Sequence, residues 1–79
     1  MGIWSTCYFP DGERLAVALD SGEIVIWDLV TGREVVRLFV EPIPFLNIAY
    51  NPEHDALVAA NMRGIRVWKG HGHREQRPE

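Results

Sequence analysis

Apolar residues along this chain come in short runs with no helical spacing. Trp4 to Phe9, Leu15 to Leu19, Glu23 to Asp28 and Glu34 to Val40 are rich in β-branched and aromatic side chains and are separated by turn-forming residues, so each reads as a strand. A second set, Phe45 to Tyr50, Ala56 to Ala60 and Ile65 to Lys69, follows the same plan. In Pro10-Asp11-Gly12 the proline presets φ at the first corner, the aspartate accepts local backbone bonds and the glycine can take positive φ, which predicts a tight hairpin. The matching stretch Asn51 to Asp55 has His54 where Gly12 stood, and a looser loop is expected there. Ser21-Gly22 and Thr31-Gly32 punctuate the next two strand pairs, and Pro42 and Pro44, unable to donate to a ladder, join the two sets. Each set is an antiparallel meander.

The runs are apolar on both faces. Successive strand residues point to opposite sides, so Ile24 and Ile26 share one face while Val25 and Trp27 share the other. A sheet with one wet side would alternate apolar with polar, and neither this run nor Leu15 to Leu19 does so. Both faces need cover, which a stack of sheets supplies.

An internal repeat gives that stack its unit. Tyr8 aligns with Tyr50, Pro10 with Pro52, Leu15 with Leu57, Gly22 with Gly64, Ile24 with Ile65 and Trp27 with Trp68. The prolines lie 42 positions apart and the tryptophans 41, so the second unit has lost a residue, expected between Leu57 and Gly64. A period of about 40–45 residues is that of four-stranded propeller blades, and the amphipathic segments that a helical repeat of similar period needs are missing.

At these residues the chain resembles a WD40 repeat protein. Pro10, Asp11 and Gly12 in the first hairpin, Gly22, Trp27-Asp28 before the next turn, and Gly32 in it carry the likeness, which Pro52, Gly64 and Trp68 continue more weakly. It covers about Trp4 to Trp68. The resemblance implies an all-β fold of antiparallel four-stranded meander blades from a WD40-like β-propeller, with one complete blade plus three strands of a second. Residues 1–41 would be the first unit, 42–69 the incomplete second, and 70–79 a polar, disordered tail. The family often has Gly-His ahead of a blade, where this chain has Val40 and Glu41, and an Asp six residues before the Trp, where it has Ser21 with Asp20 one place early. The family's Ser, His, Asp and Trp hydrogen-bond tetrad is thus incomplete in the first unit and absent from the second. Gly70-His71 follows the second Trp and does not fill that place. Such propellers close rings of about six to eight blades and repeats of this kind need about three to bury a continuous core. The chain is therefore expected to be a piece of a longer propeller or, failing that, to associate with further copies, and alone to associate or aggregate.

Composition narrows the function. A chain of 79 residues with a single cysteine has no intrachain disulfide and no paired CxxC units for zinc, so packing must stabilise it. A formal net charge of −3 argues against a phosphate-tracking surface, and nucleic acid is not expected as a partner. No apolar run approaches the ~20 residues that cross a bilayer, so no membrane partner is expected either. The N-terminus lacks the order of a secretory signal, and the cytoplasm is the expected compartment.

Candidate chemistry is sparse. No phosphate cradle, GxSxG elbow or HExxH is present, and Asp11, Glu13, Asp20 and Glu23 are explained by turns. No catalytic residue, metal site or cofactor is expected. Trp27 and Trp68 read as packing between blades, Asp28 as the cap of the turn from Leu29 to Gly32, and Cys7, aligned with Ala49, as filling a small buried slot. His54 reads as a solvent-facing loop residue, and His71 and His73 as solvated tail residues. As the resemblance implies, the chain serves as a non-catalytic scaffold for protein partners or further propeller blades, of the same chain or other copies. Its loops would bring Asp20, Ser21, Glu41, Pro42, Met62 and Arg63 to one partner-binding face. The alternatives are a piece of a catalytic or metal-dependent propeller, or an inactive remnant.

Overall fold

A computed structural model describes residues 2–69. The polar tail, with His71 and His73, lies outside the described residues. Seven strands run in order: β1 Ile3–Tyr8, β2 Arg14–Leu19, β3 Glu23–Asp28, β4 Arg33–Phe39, β5 Asn47–Asn51, β6 Ala56–Asn61 and β7 Gly64–Lys69. They form a four-stranded sheet in the order β1-β2-β3-β4 and a three-stranded sheet in the order β5-β6-β7, every pairing antiparallel. The all-β class and the two meanders match the expectation, and the described residues contain no helix.

The hairpin chemistry is visible atom by atom. Asp11 Oδ1 accepts from Glu13 N at 2.8 Å, Gly12 N donates to Phe9 O at 2.9 Å, and Gly12 takes φ +71°. The second hairpin corrects the looser loop expected there: Tyr50 pairs with Leu57 across the same span that joins Tyr8 to Leu15. The left-handed residue moves one place along, to Asp55 at φ +48°. Aspartate tolerates that conformation through its short polar side chain, and Asn51 Oδ1 supplies the local bond by accepting from Glu53 N at 3.0 Å.

The lost residue falls within the expected interval, and a second correction concerns the alignment of Gly22 with Gly64. Leu19 and Glu23 bracket the three-residue turn 20–22, whereas Asn61 pairs directly with Gly64 across the two-residue turn Met62-Arg63. Gly64 therefore stands at the strand position of Glu23, and the alignment of Gly22 with Gly64 is off by one.

Two clusters divide the core between the faces of the first sheet. Ala16, Ala18, Ile24, Ile26 and Leu38 meet Ile48, Leu57, Ala59 and Trp68 of the second sheet, with Phe9 and Phe45 closing the seam. Tyr50 lies tilted against Phe9 with ring centroids 4.7 Å apart, and Trp68 meets Phe45 edge-on at 5.8 Å. On the other face Val17, Leu19 and Val25 cluster with Leu15. Ile24 and Val25 thus lie on opposite sides, as strand alternation requires.

Trp27 departs from the expected packing between blades. Its repeat mate Trp68 is 1% exposed, but Trp27 is 36% exposed because it pairs with Leu15 on the first sheet's outer face, against which no second sheet packs among the described residues. Cys7 is also less enclosed than the slot expected for it. It is half-buried against the seam, and that burial raises its thiol pKa above the ordinary value.

Candidate partner-binding face

Three connections converge at one end of the two sheets: the turn Asp20-Ser21-Gly22, the linker that leaves β4, and the turn Met62-Arg63. Gly22 is the contact point between the first two. It is buried at φ +94°, so close to the linker that a Cβ there would fall on Glu41 O and stand 2.9 Å from Ile43 N and 3.1 Å from Pro42 Cα. A glycine at this turn is what lets the linker pass tightly against the connection between β2 and β3.

Glu41 joins the linker to the second sheet. Its Oε2 accepts from Asn61 Nδ2 at 3.3 Å and from Arg66 at 3.4 Å, and its Oε1 lies 3.8 Å from Arg63 Nε. The carboxylate is only 18% exposed, so these bonds are made in partial shelter from water. Charge-assisted bonds of this sort contribute about 1.5–3 kcal/mol when sheltered. Asn61 also shapes its own turn, Oδ1 accepting from Arg63 N at 2.8 Å.

The remaining residues of the expected face fall around this joint. Asp20 is tied back to the chain start, its Oδ2 accepting from Gly2 N at 2.8 Å while its own N donates to Gly2 O at 2.9 Å. Ser21 Oγ donates to Glu23 Oε1 at 2.9 Å and accepts from Glu23 N at 3.3 Å. Those bonds, with Arg37 at 3.2 Å, hold the Glu23 carboxyl below its ordinary pKa. Pro42 is exposed beside Gly22, and Met62 projects from its turn at 85% exposure. The structure brings Glu41, Pro42 and Arg63 together, with Met62 and Arg63 reaching furthest into solvent. Glu41 and Asp20 each accept intramolecular bonds, Glu41 from the second sheet and Asp20 from the chain start.

Sequence reasoning missed Asn61 and Arg66 here. The Asn followed three places on by Gly is a turn signal that could have marked Asn61, whereas nothing local indicates that Arg66 reaches the linker. At the opposite end the turn residues are also internally bonded. Asp28 Oδ1 accepts from Val30 N at 2.8 Å and Thr31 N at 3.2 Å, Gly32 N donates to Asp28 O at 2.8 Å, and Leu29 N donates to Glu13 O at 2.7 Å. Arg14 pairs with Asp11 at 3.1 Å and lies 4.4 Å over the Phe9 ring. Its bond from Glu13 N, then Arg14, keeps Asp11 below the ordinary carboxyl pKa. Exposed His54 sits 3.3 Å from Glu53. Among the described residues no three His, Cys, Asp or Glu side chains are grouped to hold a metal ion.

The two antiparallel meanders, with turns that bind themselves, have counterparts among known proteins. WD repeat domain-containing protein 83 of Xenopus laevis is 30% identical over 71 residues, covering 90% of this chain and 23% of that protein. The protein of the same name from Xenopus tropicalis is 28% identical over 71 residues, with the same coverage. This chain is similar to WD repeat proteins. It spans about a quarter of the length of these curated relatives. No protein-family profile matches it.

Proposed function

We propose that the chain is a two-blade section of a WD40-type propeller, residues 1–41 and 42–69, that presents the end face around Met62 and Arg63 to a protein partner without catalysing a reaction. The observation that carries this reading is the convergence of the turn 20–22, the linker and the turn 62–63 on one sheltered joint at Glu41. Binding residues work best on loops held by a rigid scaffold, and here two packed sheets hold the loops. The likeness to WD repeat proteins supports the scaffold role. The formal charge of −3 favours a protein partner over nucleic acid, membrane contact is not part of the reading, and the cytoplasm is the proposed compartment.

The reading divides labour within the face. Glu41 and Asn61 shape it, while Met62 supplies a flexible apolar contact and Arg63 a charged one. The test is affinity capture on the intact chain, comparing it with Met62→Ala and Arg63→Glu and with Leu29→Ala at the opposite end. Loss of specific partners with the first two and their retention with the third is expected. An identical set of captured proteins for all four would remove this face from the proposal.

A further inference from the structure

The start of β1 and the approach to β5 bring apolar side chains to the end that the turns 20–22 and 62–63 occupy. Ile3 pairs with Leu19 and Ser5 with Ala18, so Trp4 stands in a bulge of β1 near the turn 20–22, and it is 53% exposed. A bulge breaks the regular alternation of a strand and re-aims the extra side chain. Leu46 lies 42 positions on and is the repeat equivalent of Trp4. Just ahead of β5 its N donates to Ala60 O at 2.9 Å, and its side chain is 49% exposed. Ile48 N donates to Ser5 Oγ at 3.3 Å, which ties the two strand starts together. Met62, next to Asn61, belongs to the same end.

Charge selects what this end can hold. Glu41 Oε2 is already bonded by Asn61 and Arg66, and Arg63 approaches only Oε1, through Nε at 3.8 Å, beyond hydrogen-bond distance. The Arg63 side chain is 68% exposed, and its guanidinium makes no hydrogen bond among the described residues. A carboxylate fits such a fork through two parallel N–H bonds. The remaining charges steer an acidic group the same way. Here Asp20 and Glu41 are balanced by Arg63 and Arg66, whereas at the opposite end Asp11, Glu13, Asp28, Glu53 and Asp55 outnumber Arg14, Arg33 and Lys69. An acidic segment is repelled from that end and meets a balanced one here. A single unbonded cation beside Glu41 suits one negative charge better than a phosphate dianion, which Glu41 and Asp20 would oppose.

We infer that the partner offers this end a short segment that is apolar and acidic at once, an aliphatic or aromatic side chain resting on Trp4 and Leu46 and an Asp or Glu carboxylate held by Arg63. The inference rests on the partner-face reading above and adds the chemistry of the partner. Trp4 and Leu46 give apolar area, Met62 adapts to the shape of what lies on it, and Arg63 gives direction.

The experiment selects a displayed library of random dodecapeptides on the intact chain and measures the enriched peptides by fluorescence anisotropy. Enriched peptides are expected to carry Asp or Glu within a few residues of Leu, Phe or Trp. Converting that carboxylate to its amide is expected to weaken binding roughly tenfold or more, and exchanging it for phosphoserine is expected to weaken it too. With Arg63→Ala the acidic and amide forms should bind alike, a loss of discrimination that mere loosening of the turn does not produce. Trp4→Ala and Leu46→Ser should weaken both forms, and Leu46→Ser alone carries this arm if Trp4→Ala loses its circular-dichroism signature. A library that yields no binder, yields basic or neutral ones, or yields acidic ones that Arg63→Ala still distinguishes from their amides overturns the inference, as does tighter binding of the phosphoserine form. The partner-face reading is tested apart from this by the capture comparison above. Partners lost with Met62→Ala and Arg63→Glu, alongside a basic or neutral selection, remove only the acidic chemistry, whereas unchanged capture removes the face itself.

Discussion

Replacing Gly22 by alanine tests the joint at the end face. Two separable costs act there. The residue sits at φ +94°, where an L side chain is strained by about 1–2 kcal/mol. The added Cβ would also fall on Glu41 O and press on Ile43 N at 2.9 Å and Pro42 Cα at 3.1 Å. These are backbone atoms that move only if the linker moves, and such overpacking costs roughly 1–3 kcal/mol. The sum is about 2–5 kcal/mol, against a total stability of about 4–12 kcal/mol for a chain of this length. Gly12 supplies the control. It has φ +71° with nothing within 4 Å of the added carbon, so Gly12→Ala carries only the backbone cost. Both substitutions reduce unfolded-chain freedom equally, and that contribution cancels in the comparison. Urea unfolding of dilute protein, followed by tryptophan fluorescence, should place Gly22→Ala below Gly12→Ala by about 1–3 kcal/mol, a midpoint difference of order 1 M. Equal midpoints would show that the linker does not press against the turn as described, and the end face would lose its scaffold.

Other substitutions probe the seam and the charges. Trp68→Ala should cost about 3–5 kcal/mol in the same assay, while Trp27→Ala, on an open face, should cost markedly less; similar losses would contradict the unequal burial of the repeat mates. Glu41→Ala should cost about 1–3 kcal/mol by releasing Asn61 and Arg66, and an unchanged midpoint would show that the joint is not formed in solution. Asp11 and Glu23 are held below their ordinary values, so the stability each adds is present above the unfolded carboxyl pKa and lost as pH falls through the lowered folded value. Asp11→Asn with Glu23→Gln should therefore flatten the fall in stability below about pH 5, and an equally steep fall in the variant would count against those bonds. The Cys7 thiol, raised by burial, should alkylate more slowly at neutral pH than a free cysteine, measured by mass spectrometry.

Much of this architecture was legible because it is local or periodic. Pro10-Asp11-Gly12 and Asp28 to Gly32 encode their turns in adjacent residues, and the apolar runs encode strands with two covered faces. The repeat then relates Trp27 to Trp68 and so defines equivalent surfaces. Illegible were the matters that depend on residues distant in sequence. Composition puts Phe45 in a strand, yet it precedes β5 and is fully buried as the edge-on partner of Trp68. Position in a linker places Glu41 on a partner-binding face, and only its approach to Asn61, Arg63 and Arg66 shows it to be a joint.

Local residue patterns are enough to specify that the chain folds into short antiparallel strands, where most of them turn, and that the unit recurs. Side-chain alternation and turn preference act over a few residues and leave their mark in the letters. Tertiary structure alone decided which copy of each recurring surface is buried and which faces solvent. Trp27 and Trp68 occupy equivalent strand positions, and their difference in burial comes from a neighbouring sheet that one has and the other lacks.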